Sequence, residues 1–352
     1  MTATLVRKLL RDIRVGLAVV ALLLGAFQVL WYKVVDRILG ELSPFFTQLA
    51  TAGGLTRQDV ENQVFNGPGK IVRTIIGGEE VSMDRAMDLL SVGYVHPLIQ
   101  TILCIWAVGR AAGAIAGEID RGTMELLLAQ PLARFRLIAA HLCVDLVTIP
   151  ILCLSLWTGN YLGAELIGPI KLRPTAELIK RNPLPDYRIE VGLWSFRVGV
   201  PVKAPDIRSP AESDERVRDR LAVEPAQFGR ALPAIAGLLF AISGLTLWLS
   251  ASGRFRWRVL GLAVFVMLLQ FLVNVIGQLD DSFSWMRPLT IFYYFRPQEM
   301  VLGKAGLITL REWYGGQSLV EIPGIIVLYV AGTVGYLMAL ITFTRRDIPA
   351  PL

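Results

Sequence analysis

Apolar residues in this chain gather into long blocks, and the charges are pushed between the blocks instead of alternating with them. Crossing about 30 Å of hydrocarbon takes roughly 20 helical residues. Six runs approach that length: Val15–Tyr32, Leu89–Gly109, Leu137–Ala164, Ala231–Gly253, Val259–Leu279 and Ile322–Thr344. Four of them hold no charged residue and no histidine; the second holds His96, and the third holds His141 and Asp145. One Asp, Lys or Arg at a bilayer centre costs roughly 2.5–3.5 kcal/mol on insertion scales, so clean runs of this length predict membrane-spanning helices. The expected fold class is an all-α polytopic membrane protein with six transmembrane helices. The first run has the basic front of a signal peptide, but it closes in "QVLWYKVVDR" without a small-x-small cleavage site. Trp31 and Tyr32 suit the membrane–water interface, so the run is read as a retained span.

The segments between the blocks predict the remaining organisation. In residues 1–14, Leu5, Val6, Leu9, Leu10 and Ile13 share one helical face and Arg7, Lys8, Arg11 and Arg14 the other. This is either an amphipathic helix lying on an anionic surface or the charged start of the first span. Residues 15–164 carry the first three spans, with an extracytoplasmic loop at 36–88 and a short helical connection at 118–134. Ser82 is placed to cap the helix that leads into the second span. Residues 165–230 are long enough for a small extracytoplasmic α+β insertion. Within it "YRIEVGLWSFRVGVPV" alternates with period two, as a β-hairpin would, and "AESDERVRDRLAV" reads as an exposed helix. Residues 231–344 carry the last three spans. Their aromatic segment 280–318 predicts interfacial or re-entrant helices, because Arg296 and Glu299 interrupt it. Residues 345–352 form a cytoplasmic tail.

Charge changes the picture in one respect. The chain has 352 residues, 18% of them charged, with a formal net charge of +6. Among the short segments, arginines and lysines occupy 7–14, 110–136, 254–258 and 345–346; the others lie mainly in the long segments, which cross largely regardless of charge. The four short segments all fall on one face when both termini are cytoplasmic, which is the orientation that the positive-inside rule favours. The basic balance is therefore a topology signal, the expected location is the cell membrane, and no nucleic-acid partner is expected. Cys104, Cys143 and Cys153 lie inside predicted spans without metal or redox spacing and read as small apolar filler.

Candidate chemistry is sparse. No G-x-x-x-x-G-K-[ST] loop occurs, so the chain is not expected to hydrolyse ATP itself. Two histidines leave little for metal or triad chemistry, and no catalytic residue, cofactor or metal is expected. "EEVSMDR" at 79–85 approaches the Glu-Glu-x-x-x-Arg of intramembrane peptidases, but its arginine falls one residue too far along and the run lies outside a span. An intramembrane peptidase is kept only as a remote alternative. His141 and Asp145 share one face of the third span and can serve as a polar contact to another helix, an ion pair or a proton relay. Pro150 in the same helix should kink it. Gly109, Gly113 and Gly117, with Ala112 and Ala116 beside them, form a stripe along which another helix can approach.

The connection "EIDRGTMELLLAQPLAR" at 118–134 concentrates the remaining signals. Gly122 permits a tight turn, and Thr123 or Asp120 can accept an amide hydrogen at a helix start. Glu125 complements the helix dipole. Leu126, Leu127 and Leu128 make a short apolar knob, and Pro131 ends the helix. Such a knob either seats in a partner's groove or rests on lipid headgroups. The run Glu118, Asp120, Arg121, Gly122, Thr123, Glu125, Leu126–Leu128, Pro131 and Arg134 resembles the connection between the second and third spans in membrane subunits of type-2 ABC exporters. "RPLTIFYYFRP" and "FTRRDIP" are similar to further features of that family. The resemblance implies a permease that pairs with a cytoplasmic ABC ATPase through this coupling helix and works with a second copy or a sister permease. It also implies ATP-driven movement of a substrate, more in keeping with export. The 165–230 insertion is longer than simple members carry. It keeps open a non-transporting complex that passes force to an extracytoplasmic partner.

Overall fold

The computed structural model describes residues 2–42, 85–129, 133–171, 187–191, 194–198, 214–304, 306–309 and 321–346. Among them, six helices are long and apolar enough to cross a membrane: Thr2–Gly40, Ala86–Ala112, Arg134–Ile167, Pro225–Ser252, Arg256–Leu279 and Gly324–Arg345. The all-α polytopic class is thus the observed one. The first helix, α1 (Thr2–Arg37), runs without interruption through residue 14 and passes into a π-turn at Ile38–Leu42. Nothing between its basic start and its apolar body breaks a helix, so residues 2–14 of the amphipathic segment are continuous with the span and do not form a separate element.

The second span differs from expectation. It is two helices, α2 (Ala86–Val95) and α3 (Pro97–Ala112), divided at His96. Pro97 supplies no amide hydrogen and forces the residue before it out of the helical region; His96 accordingly has ψ 133°. Its Nδ1 then accepts the amide hydrogen of Leu98 at 3.2 Å, capping α3, while its ring sits 5.2 Å from those of both Phe27 and Trp31. Two short helices follow α3: α4 (Ala116–Asp120) and α5 (Met124–Leu128). The third span, α6 (Arg134–Ile167), keeps Pro150 inside one helix and stops at Gly168, whose φ of 79° favours glycine.

Strands β1 (Tyr187–Val191) and β2 (Trp194–Val198) pair antiparallel with Ile189 opposite Phe196, as the period-two pattern predicts. Helix α7 (Asp214–Leu221) follows where the charged helix was expected. A 3-10 turn at Pro225–Ala231 leads into α8 (Leu232–Ser252), and α9 (Arg256–Leu279) forms the fifth span. The aromatic segment is built of 3-10 turns at Asp281–Leu289 and Ile291–Tyr294 and the short α10 (Pro297–Val301). It ends in a feature that the apolar pattern did not announce, a two-stranded pairing of β3 (Leu307–Thr309) with β4 (Glu321–Pro323). The sixth span is α11 (Gly324–Arg345). Ser82, Pro131, Trp313 and Tyr314, the loop residues 43–84 and the tail beyond 346 lie outside the described residues.

The spans pack in pairs where glycines remove a side chain from the contact. Between α1 and α6, a Cβ on Gly159 would stand 2.5 Å from the Gly25 carbonyl oxygen, and one on Gly163 would stand 2.8 Å from the Tyr32 Cβ. Between α8 and α11, a Cβ on Gly244 would lie 2.4 Å from the Gly332 carbonyl oxygen. Lipid tails are as apolar as leucine, so close backbone packing is what holds such helices together. Buried Tyr94 stacks on Phe228 at 5.7 Å and accepts a 2.7 Å hydrogen bond from Asn160 on α6. By contrast α9 buries only Val259, Ala263, Met267 and Gly277, and leaves an apolar face outward.

Candidate functional site

The connection between the second and third spans is held from below by one serine. Ser250, buried near the end of α8, accepts hydrogen bonds from the amides of Ile115 (3.1 Å) and Ala116 (3.0 Å) and donates one to the Ala112 carbonyl (2.9 Å). It therefore satisfies both the last carbonyl of α3 and the first amides of α4, the groups that helix ends leave unpaired. Ser250 has no local signature in the sequence, because its partners lie more than 130 residues away.

Beyond α4 the turn is closed by its own residues. Gly122 has φ +70°. Its amide donates to the Ile119 carbonyl at 3.0 Å, and that of Thr123 to Glu118 at 3.0 Å. Glu118 is the hub: its carboxylate accepts the Thr123 hydroxyl at 2.5 Å and pairs with the Arg121 guanidinium. This corrects the capping expectation. Thr123 precedes α5, but its hydroxyl donates back to Glu118 and caps no amide of α5; nor does Asp120, which is exposed.

Helix α5 is anchored by Met124, 1% exposed, which enters an apolar cluster with Ile115, Leu137, Leu247 and Phe343. Leu126 points the other way and is 71% exposed, Leu127 is half-buried, and Glu125 is exposed in the first turn. The Leu128 side chain and Pro131 fall outside the described residues. Arg134, grouped with this segment from the sequence, is committed elsewhere. Its guanidinium donates to the carbonyls of Phe343 (3.3 Å) and Arg346 (2.6 Å) and so caps the end of α11. Arg346 in turn caps α8 through the carbonyls of Ala251 (2.7 Å) and Gly253 (2.9 Å). Burial, and then the nearby Arg254, lowers the Arg346 pKa from its ordinary value.

The glycine stripe also resolves differently from expectation. The Arg256 side chain, not a helix backbone, lies across Gly113 and Gly117: Cβ atoms there would stand 3.4 Å from its Nε and 3.5 Å from its Cδ. Gly109 has nothing within 4 Å. The start of α1, with Lys8 and Asp12, meets Glu118, Arg121, Leu127 and Arg256 around a cavity of about 260 Å³.

His141 and Arg110 also line this cavity, and His141 and Asp145 do not bond each other among the described contacts. Asp145, 1% exposed, accepts from both the Arg110 guanidinium of α3 and the Tyr336 hydroxyl of α11 on a single carboxylate oxygen. His141 Nδ1 is 3.5 Å from Arg110 Nη1. The Arg110 side chain is 7% exposed. One polar cluster therefore ties the second, third and sixth spans together directly behind the 118–134 connection.

These features define a multi-pass membrane protein with a structured connection between its second and third spans. Residues 6–159 match the family model described as ABC-2 family transporter protein. The match takes in most of the first three membrane helices and the connection between the second and third, and makes this part of the chain similar to ABC-2 family transporter proteins. No curated protein and no solved structure matches the chain.

Proposed function

We propose that this chain is the permease subunit of an ATP-driven exporter, coupled through residues 118–134 to a separate cytoplasmic ABC ATPase. The observation that carries the reading is α5, anchored by buried Met124 and presenting exposed Leu126 on a turn that Glu118 and Thr123 lock. An apolar side chain held out on a rigid base suits insertion into a partner's groove, because little conformational entropy is left to lose on binding. Closure of two ATPases would move two such knobs, one on each of two permeases, and reorient the spans as rigid bodies. The assembly is then a dimer with itself or a sister permease in the cell membrane, with both termini cytoplasmic. Contact of Leu5 and Phe343 with the same apolar cluster supports a common side for the two ends.

The test is a detergent pull-down. Leu126→Asp with Leu127→Asp is expected to release the ATPase while membrane insertion and monodispersity persist; retained ATPase would defeat the coupling reading. The hairpin Tyr187–Val191 with Trp194–Val198 favours keeping a second reading, in which ATP-driven force reaches an extracytoplasmic partner. Deleting 190–225 separates the two: loss of partner capture with ATPase activity and flux intact would favour force transmission.

A further inference from the structure

Both ends of the connection between the second and third spans return to one place, the last turn of α8. At its start, the Ser250 hydroxyl bonds the amides of Ile115 and Ala116 and the Ala112 carbonyl. At its far end, Arg134 donates to the carbonyls of Phe343, Thr344 and Arg346, and Arg346 donates to those of Ala251 and Gly253. Between these ties, buried Met124 shares an apolar cluster with Leu247 of α8 and Phe343 of α11. Breaking the buried Ser250 tie would leave helix-end amides and a carbonyl unpaired, which is costly away from water.

The side that faces α1 is built differently. Deep in its span α1 packs tightly on α6, where Gly159 meets the Gly25 carbonyl. Residues 2–14 extend beyond that seam as an arm and face the connection across the cavity of about 260 Å³. Among the described residues, Leu5 is the member of α1 that packs on the Met124 cluster. Lys8 and Asp12 line the cavity but make no ion pair among the described residues. Glu118 and Arg121 of the connection pair with each other, and Arg110 pairs with Asp145.

We propose that α4, α5 and the adjoining ends of α8 and α11 move as one rigid body against the arm of α1, with the cavity taking up the displacement. Ser250, Arg134 and Arg346 are its positioning residues. Displacement travels through chains of packed side chains and hydrogen bonds, and the ties above lead from α5 to α8 and α11. A push on α5 then reaches the fourth and sixth spans as well as the second and third, which the connection joins covalently. The source of the push rests on the coupling reading; the division into body and arm belongs to the isolated chain.

The experiment measures spin-label distances in the full chain in nanodiscs, in a background of Cys104→Ala, Cys143→Ala and Cys153→Ala. Exposed Glu125→Cys on α5 is labelled together with exposed Arg345→Cys on α11, or with exposed Arg7→Cys on α1. The α5–α11 distance should give a narrow distribution and the α5–α1 distance a broad one. Ser250→Ala with Arg134→Gln should broaden the first to the width of the second. Arg134→Lys, which keeps a donor for the α11 carbonyls, should leave it narrow. Adding the ATPase recovered in the pull-down, with ATP and vanadate, should shift the α5–α1 distance and leave the α5–α11 distance in place. An α5–α11 distribution as broad as the α5–α1 one overturns the proposal, as does one that stays narrow in the double variant. A nucleotide-driven shift in both distances, or in neither, also overturns it. The wild-type widths carry the test if the double variant does not fold. Failure of the ATPase to bind would defeat the coupling reading and leave those widths to decide between body and arm.

Discussion

Arg110→Ala is expected to destabilise the isolated protein by about 3–5 kcal/mol, the cost of removing one partner from a buried ion pair. Asp145 is 1% exposed, and its second carboxylate oxygen already lacks a partner. Without the guanidinium it keeps only the Tyr336 hydroxyl, so a carboxylate remains in a nearly dry site between three spans. Asp145→Asn keeps the volume and a hydrogen-bonding oxygen for Tyr336, but it leaves the Arg110 guanidinium, 7% exposed, without its carboxylate and should cost a similar amount. The most informative variant joins Arg110→Met to Asp145→Leu. Replacing both charges by apolar groups of similar volume is often neutral or stabilising, whereas breaking the pair is not. The double variant should therefore recover most of the stability lost in Arg110→Ala, measured by unfolding in mixed detergent micelles. A double variant as unstable as the single one would mean that the cluster is held by packing of the Arg110 stem and not by charge. If the double variant folds and binds the ATPase yet loses substrate-stimulated ATPase turnover, the pair serves motion between the second, third and sixth spans more than their cohesion.

The spans were legible because membrane insertion is a one-dimensional rule: length and transfer energy are properties of consecutive residues. The break at His96 was legible too, since Pro97 stands in the chain, but an apolar average runs straight over one proline. The pair of His141 with Asp145 shows where local spacing stops informing. The i,i+4 relation places both on one helical face, but the groups that complete them, Arg110 and Tyr336, come from spans 35 and 191 residues away. Arg110 was counted among loop charges because it follows the last apolar residue of its run. In three dimensions it lies inside, where a long side chain from a helix end can reach a buried acid. The same limit hid Ser250, whose hydroxyl joins α3 to α4. Within 118–134, the turn at Gly122 was read from local chemistry and is present; of the knob expected at Leu126–Leu128, Leu126 is exposed, Leu127 is half-buried and the Leu128 side chain lies outside the described residues. The buried anchor Met124 and the diversion of Arg134 to the end of α11 depend on tertiary neighbours.

Glycines give the second large expected effect, and they separate a pattern from a contact. The stripe Gly109, Gly113 and Gly117 has the regular spacing of a helix-packing motif, yet Gly109 meets nothing within 4 Å. Gly244 and Gly335 carry no comparable regular stripe, but a Cβ on Gly335 would fall 2.4 Å from the Gly244 carbonyl carbon, and one on Gly244 would fall 2.4 Å from the Gly332 carbonyl oxygen. Backbone atoms cannot turn aside as a flexible side chain can, so α8 and α11 must separate to admit even a methyl group. Gly244→Ala and Gly335→Ala are each expected to lose about 1–3 kcal/mol through overpacking, and Gly244→Leu should abolish recovery of folded protein. Gly109→Ala and Gly261→Ala should do the reverse. Both positions are helical and open, and alanine removes the backbone entropy penalty of about 0.5–1 kcal/mol that glycine carries inside a helix. Unfolding midpoints of the four alanine variants in the same detergent decide the matter. If Gly109→Ala falls as far as Gly244→Ala, spacing outranks contact and the stripe packs against a helix after all. The expected ordering, with Gly244 and Gly335 below wild type and Gly109 and Gly261 at or above it, places a tight seam of the bundle between the fourth and sixth spans, beside the one that Gly159 and Gly25 form between the third and first.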